Sequence, residues 1–212
     1  QSHSVGLVAS AASAGRGTGM GMGMGMGGPS AEHLGRMLFF DANLSLEANQ
    51  SCSTCHGANV GWSGPDAAAN RAGGVYEGSV AGRFGNRKPP STAYAMRSPA
   101  LAYDPVSGFY GGNFTDGRAT GWKLGSAVAD QAGGPFLNPV EQALPDAAAV
   151  LQRVCDAHYG RMFRMLWGAD ACSDVETGYA AVARSIAAFE SSAEVSPYSS
   201  KYDAVLRGQA QL

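Results

Sequence analysis

Two thiols and an imidazole stand together in the segment Cys52-Ser53-Thr54-Cys55-His56. Thiols at this spacing can each add across one vinyl group of a haem. His56 then falls beneath the iron and supplies an axial imidazole. The segment therefore predicts one covalently bound haem c, held by Cys52 and Cys55, with His56 as the proximal iron ligand. Two other chemistries use similar residues. A redox-active Cys-x-x-Cys needs a thioredoxin-like strand and helix pattern, which is missing here. A structural zinc site needs a second ligand pair, and none is suitably spaced.

The opposite face of the iron is less determined. The other histidines are His3, His33 and His158. His3 lies in the N-terminal tail. His33 and His158 fall on or beside helices, where surface or capping roles are the ordinary reading. Met37, Met96 and the tail methionines are the thioether alternatives. An iron without a second protein ligand is open to a small molecule. The motif alone thus leaves an electron carrier and a catalyst both open.

The remaining cysteines, Cys155 and Cys172, belong to no Cys-x-x-Cys pair. They read as a disulfide or as two buried free thiols; a disulfide closing this loop would contribute roughly 3 kcal/mol. Haem attachment to such a motif takes place outside the cytoplasm in bacteria. A first residue of Gln fits a mature chain whose signal peptide has been removed, or a trimmed one. A periplasmic or otherwise exported location is therefore expected.

These residues need a scaffold. The 212 residues, 45% apolar and 15% charged, allow one globular domain with a core. A formal charge of −2 favours neither nucleic acid nor an anionic membrane. No apolar run reaches the length of a membrane span. Residues 1–29 are low complexity, with Gly and Met alternating from Gly19 to Gly27. This stretch predicts disorder, or docking on its own domain or on a partner. Its thioethers also suit copper(I), on weaker grounds.

The globular domain spans 30–212 and reads as mainly α. Ser30 caps a helix through Leu34, Met37, Leu38 and Phe39. Residues 57–112 lack periodicity and predict a long irregular region wrapping the haem. Pro145 and Asp146 open a helix with Val150, Leu151 and Val154, and another runs from Arg161 to Trp167. Ser173-Asp174-Val175-Glu176 reads as a capping box. Behind it Val175, Tyr179, Val182, Ile186 and Phe189 form a core-facing stripe. Without other information, Glu141 reads as a first-turn helix carboxylate after Pro139.

Several segments occur in a recognisable order. Leu34-Gly35-Arg36-Met37-Leu38-Phe39-Phe40-Asp41 precedes the Cys-x-x-Cys-His motif. Asp116-Gly117-Arg118, Gln131-Ala132-Gly133-Gly134-Pro135 and Asn138-Pro139-Val140-Glu141 follow it. The series ends in Lys201-Tyr202-Asp203-Ala204-Val205-Leu206-Arg207-Gly208. Over about residues 30–208 this resembles the N-terminal haem domain of bacterial di-haem cytochrome c peroxidases and their MauG-like relatives.

The resemblance implies a cytochrome-c-like helical haem domain with long irregular loops. It implies that this haem reacts with hydrogen peroxide, with Gln131 and Glu141 lining its open face as catalytic residues. By the same analogy, Arg118 pairs with a haem propionate or a backbone carbonyl. Electrons come from a redox partner protein or a second haem-bearing chain. The alternative is a single-haem electron-transfer or docking subunit of a larger complex.

Three positions depart from the pattern. No histidine lies between Gly57 and Lys88, where many members carry a displaceable distal ligand. Thr115 stands where the family usually has the Trp thought to link its two haems. Lys88 replaces the family's calcium-binding Asn, so that calcium site is not carried over. The family also continues into a second haem domain. This sequence stops before one, which implies a partner chain or a missing second half.

Overall fold

The computed structural model describes residues 30–212. The Gly-Met segment, and the expectation that it docks, lie outside the described residues.

Helix α1, Ala31–Phe40, begins where the Ser30 side chain accepts the backbone N–H of His33 at 3.1 Å. Its buried face holds Leu34, Leu38 and Phe39. The short helices α2, Cys52–Cys55, and α3, Ala67–Arg71, follow. An antiparallel hairpin of β1, Ala102–Asp104, and β2, Gly108–Tyr110, comes next. Helices α4, Ala127–Ala132, and α5, Gly134–Leu137, precede α6, Ala147–Asp156, and α7, Gly160–Trp167. The long α8, Val175–Glu190, and α9, Lys201–Leu206, complete the order.

Helix α8 is the centre of the fold and packs against α1, α4 and α6. The contact with α1 is close because residue 35 is glycine. A Cβ there would stand 1.8 Å from the carbonyl oxygen of Ser185, which no side chain could accommodate. Phe39, Trp62 and Phe189 meet edge to face in this interface, with ring centroids 5.3 to 5.7 Å apart. Such contacts add to the apolar burial itself.

The predicted helices are present, with corrections at their ends. Helix α8 is capped by Asp174, whose side chain accepts the N–H of Thr177, and not by a box on Ser173. An aspartate one residue later offers a stronger acceptor to the same orphan donors. Along the expected stripe Val182, Ile186 and Phe189 are buried, but Val175 is exposed and Tyr179 half-buried. The first turn of α8 thus projects past the core. Residues 57–112 are irregular for the most part, yet they contain α3, short 3-10 turns and the hairpin. Tyr103 and Phe109 pair across that hairpin and face solvent. Cys155 and Cys172 lie at disulfide distance, with Cα atoms 6.0 Å apart, and join α6 to the turn before α8.

Candidate haem site

Helix α2 presents both thiols from a single turn. The hydroxyl of Thr54 accepts the backbone N–H of Ser51 at 3.0 Å and fixes its start. The N–H of His56 donates to the carbonyl of Cys52 at 2.9 Å and closes its end. This brings Cys52, Cys55 and His56 onto one wall of a cavity of about 720 Å³. That volume lies within the usual range for cofactor sites.

His56 is oriented by backbone. Its Nδ1 lies 3.2 Å from the carbonyl oxygen of Trp62. A carbonyl can only accept, so Nδ1 carries the hydrogen and Nε2 keeps its lone pair. Burial lowers the imidazole pKa, against the opposing pull of the Trp62 and Pro90 carbonyls. The ring therefore stays neutral, as a metal ligand requires. Trp62 adopts a left-handed backbone, φ +59°, to aim this carbonyl. For a bulky residue that conformation is strained.

Gln131 and Glu141 line the same cavity. Gln131 extends from α4. Glu141 sits in a turn and not in a helix, because residues 139–143 follow α5 without forming one. The first-turn helix reading of Glu141 is thereby corrected. Its backbone is held from two sides. The Ser79 N–H donates to its carbonyl at 2.7 Å, and its own N–H donates to the Asn138 carbonyl at 3.0 Å. The adjacent Gln142 is buried and donates Nε2–H to the Leu44 carbonyl at 3.0 Å. Gly78 permits this closeness, since a Cβ there would stand 2.4 Å from the Val140 carbonyl oxygen.

Burial raises the Glu141 carboxyl pKa, while the Asn138 side chain and the Arg118 charge hold it down. Burial also raises the Cys55 thiol to about 11, with the nearby Glu141 carboxylate adding to the shift. The Cys52 thiol is pushed up too, first by burial and then by Glu190. Both cysteines are thus protonated thiols at neutral pH, the form that adds across a vinyl group.

Arg118 also borders the cavity, but it makes no contact with a backbone carbonyl. It donates to the Asp116 carboxylate at 2.9 Å and stacks on Phe114 at 3.7 Å from the ring centroid. The side chain is half exposed, so the ion pair itself adds little stability.

All six residues expected at the site from sequence border this one cavity. Among the described residues, no second histidine and no methionine does so. Met96 is exposed and receives a hydrogen bond from Tyr198 at 3.8 Å, and Met37 packs against the core. His33 is exposed, and His158 is exposed against Tyr159. These positions are removed as axial ligands. Tyr76, Thr92 and Glu190 also line the cavity and were not anticipated. Glu190 had a legible signal. It continues the buried series Val182, Ile186 at the next step of four, so a carboxylate stands where the stripe calls for an apolar residue.

The residues present fit a haem. The cavity has thiols and imidazole on one wall and an acid and an amide elsewhere in its lining. The hydroxyl of Thr92 and the amide oxygen of Gln142 are buried in the lining without hydrogen-bond partners. Buried polar atoms of this kind call for a polar occupant or water.

A family model described as Di-haem cytochrome c peroxidase matches residues 29–211. The chain belongs to that family. Members bind c-type haem. MauG, the methylamine utilization protein of Paracoccus denitrificans, is 40% identical over 178 residues, covering 83% of this chain and 44% of MauG. Cytochrome c551 peroxidase of Nitrosomonas europaea is 29% identical over 175 residues, covering 82% of this chain and 42% of its own length. Among solved structures, the diheme peroxidase BthA from Burkholderia thailandensis is similar with a TM-score of 0.75. It shares 30% identity over 87% of this chain and 43% of BthA. The chain thus spans less than half the length of these relatives. Its mainly helical fold is that of the family's haem domain.

Proposed function

We propose that this chain is the peroxide-reacting haem domain of a MauG-like di-haem peroxidase. In this reading Cys52 and Cys55 attach one haem c and His56 is its proximal ligand. The bound haem supplies a redox-active iron that can lend an electron to peroxide. The chain's own groups do the rest. The Trp62 carbonyl holds the His56 ring turned toward the cavity, and burial keeps the ring neutral. The Gln131 amide holds hydrogen peroxide in place. The Glu141 carboxylate takes a proton from one peroxide oxygen and returns it to the other, so that the second oxygen leaves as water. The remaining electron comes from a second haem or a redox partner protein. An exported, periplasmic setting suits haem attachment and a Cys155–Cys172 disulfide.

One observation carries this reading: Gln131 and Glu141 share a single cavity with the haem motif, and among the described residues no second histidine and no methionine borders it. The same observation disfavours a six-coordinate electron carrier. The test is rapid mixing of the haem-loaded chain with hydrogen peroxide. Glu141→Gln should slow the spectral change by about 10²- to 10⁴-fold. A variant as fast as the parent removes Glu141 from the reaction.

A further inference from the structure

Glu190, the last residue of α8, is 3% exposed. It borders the haem-site cavity together with Cys52, Thr92 and Ile186. Its backbone carbonyl accepts the Ser196 hydroxyl at 3.3 Å. No described residue hydrogen-bonds its carboxyl group. Two buried polar atoms of this lining, the Thr92 hydroxyl and the Gln142 amide oxygen, lack partners as well.

A carboxylate in this position is expensive. Without a partner it must neutralise or meet a positive charge. Burial alone pushes its pKa to about 8. The elements packed on α8 do not relieve it. Helices α1, α4 and α6 put no titratable side chain into the cavity lining, and of the turns Ala95–Arg97 and Ala169–Cys172, which also pack on α8, only Ala95 reaches it, not Arg97 or Asp170. The charge of Glu190 acts on the Cys52 thiol of α2 and raises its pKa. Converted to a thioether, Cys52 has no proton to lose. Glu77, Arg87, Lys88, Asp116, Arg118 and Glu141 also line the cavity, and none hydrogen-bonds the Glu190 carboxyl; a haem bound there would add the one charge that changes with redox state.

We propose that Glu190 is a redox-linked proton site, ionised while the neighbouring haem is oxidised and protonated once it is reduced. This rests on the haem-binding reading above. One electron from an external donor enters the iron, and one proton from solvent binds a Glu190 carboxylate oxygen. The net charge inside the cavity is then unchanged. Through low-dielectric surroundings the two charges interact strongly. By linkage, the free energy with which reduction favours the proton equals that with which the proton favours reduction.

The test is a dithionite redox titration of the haem-loaded chain over a series of pH values. The parent's midpoint potential should fall as pH rises through neutrality and above. Glu190→Gln should lose the part of that slope due to this group and sit at a higher potential on the alkaline side. An unchanged slope in a variant that still carries covalent haem overturns the proposal alone. Absence of covalent haem from the parent overturns the underlying reading as well.

A second measurement does not depend on how Glu190→Gln folds. The parent chain is prepared with carboxyl-¹³C glutamate and followed by redox-difference infrared spectroscopy. Reduction should produce a protonated-carboxyl band that shifts with the label. Haem propionates, which many bacteria also build from glutamate, are separated from Glu190 by the variant: a propionate band survives Glu190→Asp and a Glu190 band does not. The labelled band should vanish in Glu190→Asp and persist in Glu141→Gln. No labelled band in the parent, or its survival in Glu190→Asp, overturns the proposal.

Discussion

The carbonyl oxygen of Trp62 accepts from Nδ1 of His56 at 3.2 Å and from the backbone N–H of Thr92 at 3.1 Å. One strained residue thus orients the His56 imidazole and anchors the loop that crosses beside it. The strain is tolerated because the Trp62 ring is wedged among Phe39, Phe40 and Phe189. Packing on one side of the residue therefore sets the orientation of the His56 ring on the other.

Trp62→Ala should cost about 3–5 kcal/mol through loss of this buried aromatic. Trp62→Phe keeps the apolar contact and should cost less. Urea unfolding of the two variants checks the order. Equal midpoints would mean that the ring does not hold the cluster together.

Glu141 gives a prediction in pH. Burial raises its pKa above the ordinary carboxylate range, and Asn138 and Arg118 act against that rise. As a proton acceptor Glu141 works only when ionised. The rate of reaction with peroxide should therefore fall as pH drops through this raised pKa. Asn138→Ala and Arg118→Leu each remove a group that favours the carboxylate, so the falling limb should move to higher pH in both. A pH–rate profile for each variant checks the direction. A limb that stays in place, or moves to lower pH, would assign it to another group.

Cys155 and Cys172 tie the end of α6 to the turn that opens α8. Neither cysteine borders the haem-site cavity. The double variant Cys155→Ser/Cys172→Ser should lose about 2–4 kcal/mol of stability. Its haem absorption spectrum should match the parent's. Thermal unfolding with and without reductant, followed in the haem band, separates the two effects.

Much of this architecture can be read from the residues. Helices α1, α6, α7 and α8 carry apolar stripes long enough for their periodicity to speak. The wall bearing Cys52, Cys55 and His56 follows from covalent chemistry at fixed spacing. Gln131 and Glu141 were legible only through family resemblance, since ten positions of loop and short helix separate them. Their meeting depends on Gly78, Ser79 and Gln142, whose contacts reach across the chain. The hairpin was not legible because its strands have three residues each and face solvent, so they show no apolar alternation. The contact of Arg118 with the Asp116 carboxylate two residues earlier is local, and the Asp-Gly-Arg segment alone does not reveal it.

Glu190 should leave its mark on stability. Its carboxyl titrates near 4.5 when unburied, and burial pushes it to about 8 in the folded chain. Between those values the folded state holds a proton that the unfolded state has released. Stability must therefore fall as pH rises across this window, by at most about 1.4 kcal/mol per pH unit, and level off above it. Glu190→Gln stays neutral at every pH and should flatten that decline. Glu141 contributes a decline of the same sign, which should remain in the Glu190 variant and shrink further in Glu141→Gln/Glu190→Gln. Urea midpoints of the dithionite-reduced, haem-loaded chains, the state in which Glu190 holds its proton, give the measurement across the pH range. A Glu190→Gln variant that loses stability with pH as steeply as its parent would show that the buried carboxyl does not take up the proton.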